Sequence, residues 1–197
     1  RNILFFACFP LIMCSQQTES LKEKFEDYFL IGATINQEDY QIIDHDHKVL
    51  EIVKENFNSV TPENSMKWMH SHPEYYTYTF SNAEKIADFT KNNGMFLLGH
   101  TLIWHNQVPS YVNEIKDKNR FDLHIKNHIF QLVTRFKGKV DMWDVVNEAL
   151  NDDGTLRNTI FLEMLGDDYI EKVFQYANDS SKQILSFKLI INSTKIR

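Results

Sequence analysis

The stretch WDVVNEALNDDG, Trp143 to Gly154, ends an apolar run on an amide and a carboxyl group, Asn147 and Glu148. A carboxyl group there can give a proton to a leaving oxygen or take one from water, and the neighbouring amide can hold a hydroxyl beside it. The same pair could equally open the turn signalled by Asn151-Asp152-Asp153-Gly154. Two more stretches collect groups of this kind. TPENSMKW carries Glu63, Asn64, Lys67 and Trp68, and GHTLIWHNQVP carries His100, Trp104, His105, Asn106 and Gln107. Amides, a lysine, histidines and indoles together suit a neutral, polyhydroxylated ligand, whose hydroxyls bond the polar groups and whose C–H faces lie on an aromatic ring. Plainer alternatives stand beside each: a solvated helix start after Pro62, loop amides, core histidines and a packed Trp104. Zinc is the rival for His100 and His105, but no third ligand stands at a diagnostic spacing, so no metal and no cofactor are expected.

These residues need elements to position them. The spacing predicts helices over Glu19–Phe29, His45–Phe57, Ser81–Gly94, Arg120–Gly138 and Asp167–Asp179. Between them, short apolar runs predict strands at Leu30–Ile35, Phe57–Asn64, Met95–His100, Lys139–Glu148 and Phe187–Asn192. Strand alternating with helix implies an α/β fold with a parallel sheet and helical crossovers. No GxGxxG follows the first strand, which counts against a nucleotide-binding sheet. The chemically able residues gather at the C-terminal ends of the second, third and fourth strands, the face where such folds bind ligands.

Composition narrows the partners. The net charge is −6 with no Lys/Arg-rich run, which argues against nucleic acid. Aromatic residues make up 13%, enough for a large core and for ring stacking on a ligand. Residues 1–17, RNILFFACFPLIMCSQQ, read as a secretory signal peptide, with one cation and then an apolar run from Ile3 to Cys14 too short to span a membrane. Both cysteines, Cys8 and Cys14, fall in this leader, which leaves the body without a disulfide framework. Cys14 before Ser-Gln-Gln resembles the lipid-modified first residue of a bacterial lipoprotein. The expected product is therefore a secreted protein or a cell-surface lipoprotein with a lipid anchor, monomeric, with its domain over residues 18–197.

TPENSMKW, GHTLIWHNQVP and WDVVNEALNDDG, in that order, resemble glycoside hydrolase family 10, the endo-1,4-β-xylanases. DYFLIGATINQ is similar to that family's first strand and RFKGKVDMWDVVNEAL to the approach to its fourth; the likeness runs from about Leu21 to Ala177. It implies an incomplete (β/α)8 TIM barrel, about the first five βα units, acting on xylan or xylo-oligosaccharides. It implies that Glu148 is the general acid/base of a retaining double displacement. Glu63, Asn64 and Lys67 would bind xylose hydroxyls on the glycone side. His100, Trp104, Gln107 and Asn147 would shape the pocket around the sugar being cleaved, Asn147 at its 2-hydroxyl. Trp68, Trp143, Asp141 and Asp144 read as structural.

Two departures qualify the likeness. The family's nucleophile is a glutamate on the seventh strand, in a segment like Thr-Glu-Leu-Asp, and no such segment occurs in these 197 residues. Strands beginning near 30, 57, 95, 140 and 187 imply that three further units would take about 120 more residues. In KLIINSTKIR, Ser193 and Thr194 occupy the Asp-Tyr places of the family's fifth strand, so Asn192 is given no function. The polypeptide by itself is expected to be catalytically silent. A xylan-binding remnant, a fragment that never folds stably and a cellulase of another family are the alternatives.

Overall fold

The structure, a computed structural model, describes residues 19–36, 47–181 and the backbone of 186–190. The leader with Cys8 and Cys14, and the tail with Asn192, Ser193 and Thr194, lie outside the described residues. Five strands are present: β1 (Gly32–Ile35), β2 (Ser59–Pro62), β3 (Phe96–Trp104), β4 (Met142–Asn147) and β5 (Ser186–Ile190). They pair in chain order, β1-β2-β3-β4-β5, every pair parallel. A doubly wound sheet would reverse its order at a switch point. An unbroken order joined by helices is the arrangement of the first units of a (β/α)8 barrel.

The helices are α1 (Leu21–Lys24), α2 (His47–Asn56), α3 (Trp68–Ser71), α4 (Ser81–Asn92), α5 (Ser110–Glu114), α6 (Lys118–Arg135), α7 (Ile160–Leu165) and α8 (Tyr169–Ser181). The longest, α6, begins where the Asp117 side chain accepts from the Arg120 N–H at 2.8 Å. It buries Phe121, Ile125, Ile129, Leu132 and Val133 on one stripe. In β4, Trp143, Val145 and Val146 are buried, as an interior parallel strand requires. Gly99 of β3 makes room for its neighbour: a Cβ there would lie 2.6 Å from Trp143 Cζ3.

Three expectations change. The helix expected over Glu19–Phe29 stops at Lys24 and gives way to a turn. None of its residues is buried, so tertiary packing does not extend what is too short to persist alone. The helix expected over Ser81–Gly94 ends at Asn92, with Asn93 in the C-cap position. The third strand runs on past His100 to Trp104, and α3, α5 and α7 are too short to show a period in the sequence.

Between the 72–80 connection and α6 lies a stack of rings. Trp68 lies flat on His128, centroids 3.8 Å apart and planes 4° apart, and both are buried. Tyr78 covers His72 at 4.0 Å and Tyr75 covers His124 at 4.7 Å. Trp68 Nε1 donates to Tyr111 Oη at 2.9 Å, and Tyr111 Oη donates to the His72 carbonyl at 3.1 Å. His72 Nε2 lies 3.2 Å from the Tyr75 carbonyl, His128 Nε2 lies 3.2 Å from the Leu102 carbonyl, and the two Nδ1 atoms face each other at 3.2 Å. Trp68 is thus structural, as expected.

Candidate active site

The C-terminal ends of the strands open on a cleft of about 540 Å³ lined by Thr34, Thr61, Glu63, Lys67, His100 and Asp144, among others. A larger concavity, about 1020 Å³, lies between α1 and α2. Its lining, mainly Glu and Lys side chains, shares no residue with the strand ends, so size alone does not locate the chemistry.

The Glu63-Asn64 bend follows directly from β2, and the Glu63 N–H bonds the Ile35 carbonyl at 2.8 Å, which ties the bend to the end of β1. Asn64 is the hub. Its Nδ2 donates to Asn36 Oδ1 at 3.2 Å, and its Oδ1 accepts from Lys67 Nζ at 3.1 Å and from Gln107 Nε2 at 3.5 Å. His70 Nε2 in turn meets Gln107 Oε1 at 3.2 Å. Lys67 is only 7% exposed. Burial pulls its pKa below the usual lysine value, opposed by the charges of Glu63 and Glu148. Its Nζ stands 4.8 Å over the Trp104 ring, which joins the Asn64 network to the end of β3.

The end of β4 holds the second half of the site. Trp104 and Asn147 are partners in the β3–β4 register, and Asn147 is 6% exposed. Trp104 Nε1 donates to Glu148 Oε2 at 2.9 Å, so one carboxyl oxygen is anchored. Glu148 has φ 53°, in the left-handed region that side chains seldom occupy. Arg157 braces that backbone: its Nε donates to the Glu148 carbonyl at 3.1 Å and its Nη2 to the Leu150 carbonyl at 3.3 Å. Gln107 also sits at positive φ, 50°. Two such residues in one site fit the tendency of sparse conformations to collect where function needs a side chain aimed.

His100 and Asp144 form the next rung of the same register, with His100 Nδ1 2.9 Å from Asp144 Oδ2. A carboxylate oxygen only accepts, so Nδ1 donates in this contact and Nε2 is left outside it. Asp144 is fully buried, and its Oδ1 has no hydrogen-bond partner. Although it reads as structural in the sequence, it lines the cleft and orients His100. Asp141 does behave as a framework residue, accepting the Leu97 N–H at 2.8 Å.

The fold thus links Lys67, Trp104 and Glu148 through direct contacts, joins Asn64 and Gln107 to them, sets Asn147 beside Trp104, and puts Glu63 and His100 on the same cleft. His105 packs edge-on to Trp104 at 6.0 Å, and burial lowers its pKa, as does Arg157, against an opposite pull from Glu148. Among the described residues no three His, Cys, Asp or Glu side chains are grouped to hold a metal ion. Asn36 and Arg157 escape the sequence reading, which takes Asp144 only as structural. A polar residue closing the ATINQ strand was the one available signal for Asn36; nothing local marks the other two.

The profile of glycosyl hydrolase family 10 matches residues 20–197. A β-1,4-xylanase of Dictyoglomus thermophilum is 44% identical over 162 residues, 81% of this chain and 44% of that protein. Endo-1,4-β-xylanase A of Xylanibacter ruminicola is 35% identical over 87% of this chain and 47% of its own length. The chain therefore spans about half the length of the curated relatives it matches. Among solved structures, xylanase 10B of Thermotoga maritima superposes with a TM-score of 0.80 at 37% identity, covering 86% of this chain and 52% of that one. Xylanase 10B of Thermotoga petrophila, solved with xylobiose, gives 0.78 at 38% identity, over 84% of this chain and 51% of that one. With three strand-end motifs converging on one cleft and the match extending from end to end of the described residues, the chain belongs to glycosyl hydrolase family 10.

Proposed function

We propose that residues 18–197 are the first part of the catalytic domain of an endo-1,4-β-xylanase, which cuts internal β-1,4-xylosidic bonds of xylan with retention of configuration. The observation that carries this reading is the Trp104–Glu148 hydrogen bond beside Asn147, reached through Lys67 from the Asn64 network. Glu148 is the general acid/base. With Oε2 engaged by the indole N–H, Oε1 is left to carry the proton to the glycosidic oxygen and later to take one from water. Asn147 holds the 2-hydroxyl of the sugar being cleaved. Glu63, Asn64 and Lys67 bind glycone hydroxyls, and His100 and Gln107 hydrogen-bond the sugar at the cleavage point. Trp104 offers that sugar a flat face.

Retention needs a second carboxylate about 5–5.5 Å from the first, as nucleophile. In this family that group comes from the seventh strand, which the 197 residues do not contain. This chain supplies the acid/base, and taken alone it binds xylo-oligosaccharides without cutting them. The deciding measurement pairs two readouts on the 197-residue chain. Xylotriose binding is expected by calorimetry, with no reducing sugar released from xylan. Turnover with retained configuration would sink the division of labour, and absence of xylotriose binding would sink the xylan reading itself.

Export as a monomer, with Cys14 lipidated or the leader simply removed, belongs to the same proposal. Mass spectrometry of the mature N-terminus after secretion distinguishes a lipidated Cys14, a cleaved leader and a retained leader.

A further inference from the structure

A second concavity, about 450 Å³, lies between the 72–80 connection and α6 and shares no residue with the cleft. Its volume is within the range of small-molecule sites. Tyr75, Tyr76 and Tyr78 form one wall, and Arg120, Asn127 and Gln131 of α6 the other. The last three recur at helical spacing, so they share a face.

Two of the three tyrosines are seated on buried rings. Tyr78 rests on buried His72, Tyr75 rests on buried His124, and the Tyr75 carbonyl is within hydrogen-bond distance of His72 Nε2. Tyr76 packs edge-on against Tyr75 at 4.6 Å yet is 89% exposed. A large ring held by its neighbour and offered to water binds a flat partner with little ordering cost. Asn127 and Gln131 each bring an acceptor and two donor hydrogens, which suits vicinal hydroxyls. Arg120 is the one charged residue of the lining apart from the titratable His124, so the groove favours a neutral chain with room for an occasional acidic side group. Further strands of the sheet would pair at its two edges, β1 and β5, whereas this groove flanks the elements that follow β2 and β3 in mid-sheet.

We propose that this groove is a second binding site for the polysaccharide, taking a run of β-1,4-linked xylose residues outside the active cleft. The proposal rests on the xylan reading of the cleft. Two sites on one chain raise the effective concentration of substrate, so the groove would matter on insoluble xylan and little on short oligosaccharides.

The test is depletion of the 197-residue chain from solution by insoluble xylan, comparing the parent with Tyr76→Ala and with the cleft double variant Asn64→Ala/Lys67→Ala. Tyr76 is so exposed that its removal should leave the thermal midpoint unchanged. Tyr76→Ala is expected to weaken retention about fivefold, a stacking contribution of about 1 kcal/mol. The cleft variant should keep part of its retention and lose it when Tyr76→Ala is added. Retention by Tyr76→Ala equal to the parent overturns the groove. Retention by the cleft variant equal to the parent, with Tyr76→Ala still weaker, overturns the cleft reading and leaves the groove standing. As an independent measurement, xylohexaose should shift the Asn127 side-chain amide signals in NMR spectra of the cleft variant; unmoved signals overturn the proposal.

Discussion

The cleft and the ring stack use the same residue types to opposite ends. In the cleft, His100 Nδ1 donates to Asp144 and its Nε2 lies outside that contact, Lys67 is nearly buried, and Asp144 Oδ1 is unpaired. In the stack, the outer nitrogens of His72 and His128 are directed at backbone carbonyls. Two neutral imidazoles carry two N–H protons for three contacts: the two carbonyls and the Nδ1–Nδ1 approach. A third proton would complete the set. Burial opposes it, because a charge here costs several kcal/mol against about 1 kcal/mol for one more hydrogen bond. Accordingly, burial takes His72 down to about 4 and His128 well below the usual histidine value. The cleft thus holds a nearly buried cation and an unpaired carboxyl oxygen, whereas the stack turns its outer imidazole nitrogens to the protein's own carbonyls and leaves the Nδ1–Nδ1 approach one proton short.

That contrast can be broken most sharply at His128. His128→Ala removes the ring beneath Trp68 and strands the Leu102 carbonyl, and should cost about 3 kcal/mol by urea denaturation. A loss under 1 kcal/mol would mean that the stack is ornamental. Lys67→Met should do the reverse. Xylotriose affinity should drop about 30-fold, or about 2 kcal/mol, while the urea midpoint holds or rises, since a nearly buried cation is removed. A midpoint that falls instead would make Lys67 a framework residue.

Acidification separates the regions a third way. His72, His124 and His128 have pKa values lowered on folding, so between the folded values and about 6.5 the unfolded chain binds more protons. Stability is therefore present in full above about pH 6.5 and declines as pH falls toward about 4, with a slope of up to about 1.4 kcal/mol per pH unit for each histidine. Urea midpoints at pH 7 and pH 5 measure it, and a flat profile would show that the stack accepts protons freely. Smallest of the four, Tyr111→Phe deletes the hydroxyl between Trp68 and the His72 carbonyl and should cost about 1 kcal/mol, with xylotriose affinity unchanged.

What could be read in the sequence follows the same division. Asn64, Lys67, Trp104, Gln107, Asn147 and Glu148 stand at strand exits, where a break from apolar to polar is local and visible. Asp144 sits inside a strand, and its partner His100 is 44 positions away, so its role exists only once β3 and β4 are in register. Arg157 is hidden for a related reason: it acts on main-chain carbonyls, which carry no sequence signature. The stack was equally illegible, since His72 and His128 meet across 56 positions and each alone looks like an ordinary helix-end or helix-face histidine. The overshoot at Glu19–Phe29 has the opposite cause, a helical period with no core beneath it.

Gly99 ties these observations to one rung of the sheet. Its bare α-carbon lets the Trp143 indole lie against β3, and the next rung along is the His100–Asp144 pair. Even alanine at that place would press its Cβ into the Trp143 ring, so the indole or the strands would have to shift beside the His100–Asp144 rung. Variation that spares this rung therefore falls to the loops beyond the strands, because a side chain at Gly99 has no room while Trp143 keeps its place.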